Sequence, residues 1–379
     1  MREFKFISVD KDAPLDKSIT ALTEGVPVIV TYLQPFCLLF NDVDEWTCSL
    51  DDVNKLAFDY VKLNKVVGGV DIGLKPPLHL MLGFDGSLIL PAIPKFHNPQ
   101  DAVISFNKFL GCIALAGLIH DSVSVYDVQR GVLLPTGYVR VFPPPRPGSS
   151  RVDLHFSLRG RSSSADQSIV LWEPRSKRAR GLQVAYLQGA KTFSSIPELS
   201  PSFLIEGISH ILSFAWSEAL SDLWIGTEQL LSHLWSQHVL DDPNLSKANF
   251  GERKNILKDK RAWTSSIVLE LLFQRSIIDL LTYESLSIAR KARNHLAHDG
   301  IPVIQDQAFS ALDGFLRILS LSETPGEPMH YLSLSNQIKE DRNVTKPHFS
   351  DAEVKAWREI LPLPGEKQWG QKDYEKVFL

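Results

Sequence analysis

The run FLIEGISHILSFAWSEALSDLWIGTEQLLSHLWSQHVL, residues 203 to 240, limits the fold more than any other stretch of the chain. Its apolar residues recur every three or four positions, the period of one face of an α-helix. It holds either one long helix or two with a bend. A face this apolar has to be covered by other helices, so the run requires a bundle. The following sequence supplies partners, with helical spacing at about 249–261, 264–281, 283–298 and 305–322. Asp299-Gly300 ends the third of these, glycine providing the left-handed conformation that a helix stop favours.

Before Pro201 the texture differs. VPVIVTYLQ, LHLML, SLILPAI, SVSVYDV and YVRVF are short β-rich runs separated by Gly, Pro and Asp, interrupted by one helix at roughly 101–119. FPPPRPGSS and RGRSSSADQS read as exposed loops. RVDLHFSL, SIVLWE and LQVAYL read as further strands, with EPRSKRARG as a basic hairpin connection between them. The fold class is therefore α+β: a mixed, β-rich region at 1–195, a helical bundle at 196–325 and an extension at 326–379 carrying the short helix DAEVKAWREILPL. A length of 379 residues fits two or three domains at roughly 150 residues each.

A net charge of −4 argues against attraction of nucleic acid or acidic lipid by the whole surface, so any such binding needs a local basic patch. Cys37, Cys48 and Cys112 lack paired spacing, which fits a reducing compartment. The opening MREFKFISVDKD has no apolar leader core, and the longest apolar run, FLGCIALAGLI, is too short to span a bilayer. The expectation is a soluble cytoplasmic protein without membrane contact.

The chemically specific stretch is SIARKARNHLAHDGIPV, residues 287–303. On a helix, residues four apart lie one above another, so Arg290, Asn294 and His298 share a stripe flanked by Arg293 and His295. Guanidinium groups grip phosphate through a planar fork of donors, and imidazole exchanges protons near neutral pH. These are the parts that metal-free RNA cleavage needs. The alternative is a solvated face whose cations favour the C-terminal end of the helix dipole.

RNHLAHDG resembles the signature of the HEPN superfamily (higher eukaryotes and prokaryotes nucleotide-binding), in which an Arg and a His separated by four to six residues lie on a late helix of a small bundle. Arg293 and His298 have four residues between them, and Asn294 is the polar residue that often follows the Arg. AFSALDGFLRIL resembles the family's last helix, and ALSDLWIGTEQLL, with Trp224 and Glu228, resembles the first-helix stretch of the ApeA-like branch. The resemblance covers about 200–322. It implies a homodimer that cuts RNA without metal or cofactor, with His298 as acid/base, Arg293 on the scissile phosphate and Asn294 positioning them. It further implies a toxic effector in abortive anti-phage defence, with residues 1–195 sensing a phage-derived trigger. Arg290 and Lys291 would add charge for the RNA backbone, which is an inference from spacing. His295 lies either at the cleft edge or on the outer face. The competing class is a non-catalytic module binding nucleotide, RNA or protein through the same helix.

Other features read as structural. FGERKNILKDKRAW and RSKRAR are basic stretches more typical of solvated surface than of an RNA track. Glu228, within an apolar helix, needs a hydrogen-bonding partner. Trp216, Trp224 and Trp235 recur at helical spacing, as core residues do. His295/His298 and His233/His238 lack the accompanying ligands of a metal site.

Overall fold

A computed structural model of the protein describes residues 25–143, 148–196, 199–241, 251–259, 261–322, 331–341 and 350–358. The side chains of 251–254, 331–332, 340–341, 353 and 356–358 lie outside that description, as do the opening MREFKFISVDKD, the helix stop at Asp242-Pro243 and Lys260. Residues through Asn336 make one compact unit, and those from Gln337 make a second that contains the end of α11 (Tyr331–Asp341) and all of α12 (Asp351–Arg358).

The first unit is an α+β structure. Its six-stranded antiparallel sheet has the order β3-β4-β5-β1-β6-β7, formed by β1 (Val26–Tyr32), β3 (Val66–Val70), β4 (Leu80–Gly83), β5 (Ser87–Pro91), β6 (Gln129–Leu133) and β7 (Val139–Val141). β1 lies between β5 and β6, with Val30 opposite both Ile89 and Gln129. From Val28 to Tyr32 it is buried on both faces, which explains why Val28, Ile29 and Val30 run apolar without alternation. Val28, Val30, Tyr32, Ile89 and Val139 form the core of one face.

β2 (Cys37–Phe40) belongs to a separate two-stranded sheet, paired in parallel with β8 (Arg175–Arg178). A second core, including Phe36, Leu38, Phe58, Phe84, Leu158 and Leu171, gathers around β2.

Helix α2 (Pro99–Ala114), which follows the short α1 (Leu50–Lys55), packs on both α4 (Ala179–Ser194) and α5 (Pro201–Leu212). The approach is backbone to backbone. A Cβ on Gly111 would fall 2.1 Å from the Pro201 carbonyl oxygen, and one on Gly189 would fall 2.2 Å from that of Cys112. The bundle continues through α6 (Trp216–Trp235), α7 (Gly251–Lys258), α8 (Ser265–Gln274), α9 (Leu280–Asp299) and α10 (Gln305–Leu321). The long apolar run thus forms two helices, broken where Phe214 takes a left-handed conformation (φ 61°), followed by a π-helical turn over Ser236–Leu240. Among the described residues, no helix is long and apolar enough to cross a membrane.

Several expected strands are helical or irregular. RVDLHFSL lies in α3 (Ser150–Arg159), where the Ser149 hydroxyl caps the Val152 amide and Val152, His155, Leu158 and Arg159 share a buried face. LQVAYL is the middle of α4, and SIVLWE folds as a 3-10 turn over Ile169–Leu171. SVSVYDV carries a turn at Val125–Asp127, capped reciprocally by Ser124 and Asp127, and the strand begins only at Gln129. EPRSKRARG is no hairpin: Arg175–Arg178 is the strand β8 itself.

A buried ionic network ties α3 to the turn between β4 and β5. Arg159 of α3 forks onto Asp85, with Nε donating to Oδ2 at 2.6 Å and Nη2 to Oδ1 at 2.8 Å. His155, one turn earlier, lies 3.2 Å from Asp85 Oδ2 and stacks on Tyr32 with ring centroids 3.9 Å apart. Burial alone would raise the Asp85 pKa. The Arg159 charge and the hydrogen bonds from His155 and Arg159 outweigh it, and the carboxyl is held well below the usual range. Burial also lowers the His155 pKa against the opposing pull of Asp85, and pushes the Cys112 thiol up to about 12 and the Cys37 thiol up to about 11.

His120, 5% exposed, sets an acid limit on stability. Burial pushes its imidazole down to about 4; a hydrogen bond involving the Gln34 backbone opposes the shift, and the charges of Lys177, Arg151 and Arg175 reinforce it. The folded pKa lies below that of the unfolded chain, near 6.5, so the unfolded state binds the extra proton between them. The contribution is complete above about pH 6.5 and is lost as pH falls towards about 4, amounting to roughly 3 kcal/mol. His155 acts in the same direction. Urea unfolding from pH 7 to pH 4.5 should show this loss, and His120→Gln should flatten it. An unchanged acid limb in the variant would exclude His120 as its source.

Candidate functional site

Asp279 starts α9 by accepting the Thr282 amide at 2.8 Å, and Gly300 ends it at φ 67° with its N–H bonded to the His295 carbonyl. Thr282, Leu286, Ala289 and Ala292 form the buried side. Leu286 fills the space over Gly314 of α10, where a Cβ would meet it at 2.6 Å. This packing fixes the helix's rotation and turns Leu281, Glu284, Ile288, Lys291, His295 and His298 outwards.

The cationic residues occupy three environments. Arg293 and Asn294 are half-buried and adjacent, Arg293 Nη1 lying 3.5 Å from Asn294 Oδ1. His298 is exposed and has no hydrogen-bond or ionic partner among the described residues. His295 is exposed and pairs with Asp299 of the next turn, Nδ1 to Oδ2 at 2.8 Å. Arg290 is half-buried and its Nε has no hydrogen-bond partner among the described residues, while Lys291 is exposed. Arg293 and His298 are five residues apart, which at about 100° per residue puts them about 140° apart around the helix. A single chain therefore brings Arg293 to Asn294 but not to His298.

Tyr283 and Glu270 tie the start of α9 to α8. Tyr283, one turn from the helix start, donates its hydroxyl to Glu270 of α8 at 2.7 Å and stacks on Phe273. That hydrogen bond, with one from Gln274, holds the Glu270 carboxyl below its ordinary value. The pairing joins two helices, and nothing in either segment signals it.

The supporting residues behave as core. Glu228 accepts from Trp224 Nε1 at 2.9 Å and from Ser265 Oγ at 3.0 Å, joining α6 to α8. Trp235 and Trp263 pack with ring centroids 5.0 Å apart and donate their indole N–H groups to the carbonyls of Leu257 and Ile256 at the end of α7. A groove of about 810 Å³ runs beside them, lined by Glu228, His233, Lys258 and Ser265. Of the basic residues expected on 249–261, Lys258 and Arg261 are exposed, and the side chains of Arg253, Lys254 and Lys260 lie outside the described residues. Among the described residues, no three His, Cys, Asp or Glu side chains gather as metal ligands.

Fold and site together define an α+β chain that carries a cationic, histidine-bearing helix end on a bundle. The chain matches no family model, no curated protein and no solved structure.

Proposed function

We propose that the protein is a metal-independent endoribonuclease of HEPN type that acts as a homodimer. The observation that carries this reading is the end of α9, where Arg293 is backed by Asn294 while His298 is exposed and unpartnered. An exposed, unpartnered imidazole can exchange a proton with a 2′-hydroxyl. A half-buried guanidinium can neutralise the charge that builds on phosphorus. The 2′-oxygen attacks the adjacent phosphorus, the bond to the 5′-oxygen breaks, and a 2′,3′-cyclic phosphate forms. One imidazole takes the 2′ proton and a second returns a proton to the leaving oxygen. The angle of about 140° between Arg293 and His298 supports a site composed of two chains, in which the Arg of each serves the His of the other. Arg290 and Lys291 then hold the flanking backbone. In this reading the enzyme is a cytoplasmic effector of abortive anti-phage defence, and the region before residue 195 senses a phage-derived trigger.

The same angle also favours one alternative, a non-catalytic module in which Arg290 and Arg293 hold a phosphate or a protein partner without His298. Incubating total RNA with wild type and His298→Ala in EDTA separates the two. Cleavage by wild type alone supports the nuclease. Equal RNA binding by both proteins without cleavage, with candidate triggers present, supports the binding module.

A further inference from the structure

The strand β8 and the start of α4 carry Arg175, Lys177, Arg178 and Arg180, four cations within six residues of a chain whose net charge is −4. All four are exposed, and none has a carboxylate partner among the described residues. Arg178 alone is tied down, donating to the Asn41 carbonyl. β8 pairs with β2 along one edge and with no other strand among the described residues. Arg175 and Lys177, two residues apart on a strand, project from the same face about 6.6 Å apart. Both lie near enough to act on the Cys37 thiol and the His120 imidazole. Trp172, three residues before β8, is 42% exposed.

We infer that this edge is a binding strip for single-stranded nucleic acid, holding the phosphate backbone on Arg175, Lys177 and Arg180 and stacking a base on Trp172. Cations spaced along an extended backbone, with an exposed aromatic three residues before them in the chain, supply the two groups that sequence-independent binding of single strands uses. Three of the four cations are arginine, whose planar fork suits phosphate oxygens better than a point charge does. The exposed carboxylate of Glu173 works against an anion here, but it is outnumbered. An acidic protein strand could satisfy the charges and the free edge, but it has no use for the exposed indole. Charge on an edge strand also discourages pairing between copies, and that role alone predicts no RNA binding. The inference rests on RNA being the substrate, and it gives the region before residue 195 a part in holding it.

The test measures binding of a fluorescein-labelled, mixed-sequence single-stranded RNA to the full chain carrying His298→Ala, with and without Arg175→Glu/Lys177→Glu/Arg180→Glu, across a salt series. Arg178 is left intact because of its bond to Asn41. Losing three phosphate contacts at about 0.7 each should lower the salt slope by about 2 and weaken binding about 100-fold near 0.1 M salt. The corresponding triple Gln variant should show an intermediate loss, and Trp172→Ala a smaller loss with an unchanged slope.

Equal binding with and without the triple change overturns the strip and leaves the nuclease reading standing. Loss of binding in the triple variant when wild type fails to cut with candidate triggers present supports the strip and overturns the nuclease reading. No binding by any of the proteins overturns both. Binding of poly-glutamate in place of RNA overturns the nucleic-acid assignment in favour of an acidic protein partner.

Discussion

His298→Ala is expected to slow RNA cleavage by about 10²–10⁴-fold, the usual contribution of a positioned acid/base group. Stability should stay within about 0.5 kcal/mol of wild type, because the side chain is exposed and makes no described contact that the change would remove. RNA affinity should be nearly unchanged, since Arg293 and Arg290 supply the phosphate contacts. Arg293→Ala should lose a comparable share of the rate, about 10²–10³-fold, by removing a cation aimed at developing charge. It should weaken RNA binding as well. Single-turnover appearance of fragments in EDTA, with unfolding midpoints for each variant, separates these effects. Full cleavage by the His298 variant, or abolition of wild-type cleavage by EDTA, would remove His298 from the chemistry.

The readable parts of the fold were those with a long period or a strong stop. The apolar spacing of 203–240 marked the first bundle helices, and Gly300 marked the end of α9 because few other residues adopt φ 67° there readily. Short apolar runs were harder. RVDLHFSL satisfies both an alternating and a helical pattern over eight residues. It folds as a helix because Ser149 caps it and because positions 152, 155, 158 and 159 meet one core. β8 was misread since its partner, β2, is far away in the chain, and a parallel pairing leaves no local mark. At the candidate site, helical spacing gave the stripe of Arg290, Asn294 and His298, but not the contrast between a half-buried Arg293 and an exposed His298. That contrast comes from which side of α9 meets α10, a tertiary choice.

Arg159 was illegible for a different reason. A charge at the end of a short helix ordinarily reads as surface, yet this one is among the most buried cations of the chain. Arg159→Met is expected to lower unfolding free energy by about 3–5 kcal/mol, the cost of leaving one member of a buried ion pair alone. Asp85 would keep only its contacts with His155 and the Ser87 amide, and Ser87 Oγ would lose the guanidinium bonded to it at 2.9 Å. With the cation gone, burial would raise the Asp85 pKa, so part of the penalty should be relieved as pH falls and the carboxyl protonates. Wild type has the opposite dependence: its depressed Asp85 contributes fully above the unfolded value near 3.9 and loses that contribution as pH falls further. Asp85→Leu in the Arg159→Met background should recover a large share, because two apolar side chains can replace a buried pair at little net cost. Urea midpoints for the two single variants and the double variant at pH 7 and pH 5 complete the cycle. A loss below about 1 kcal/mol in Arg159→Met, or additive losses in the double variant, would mean that the pair does not hold α3 to the sheet.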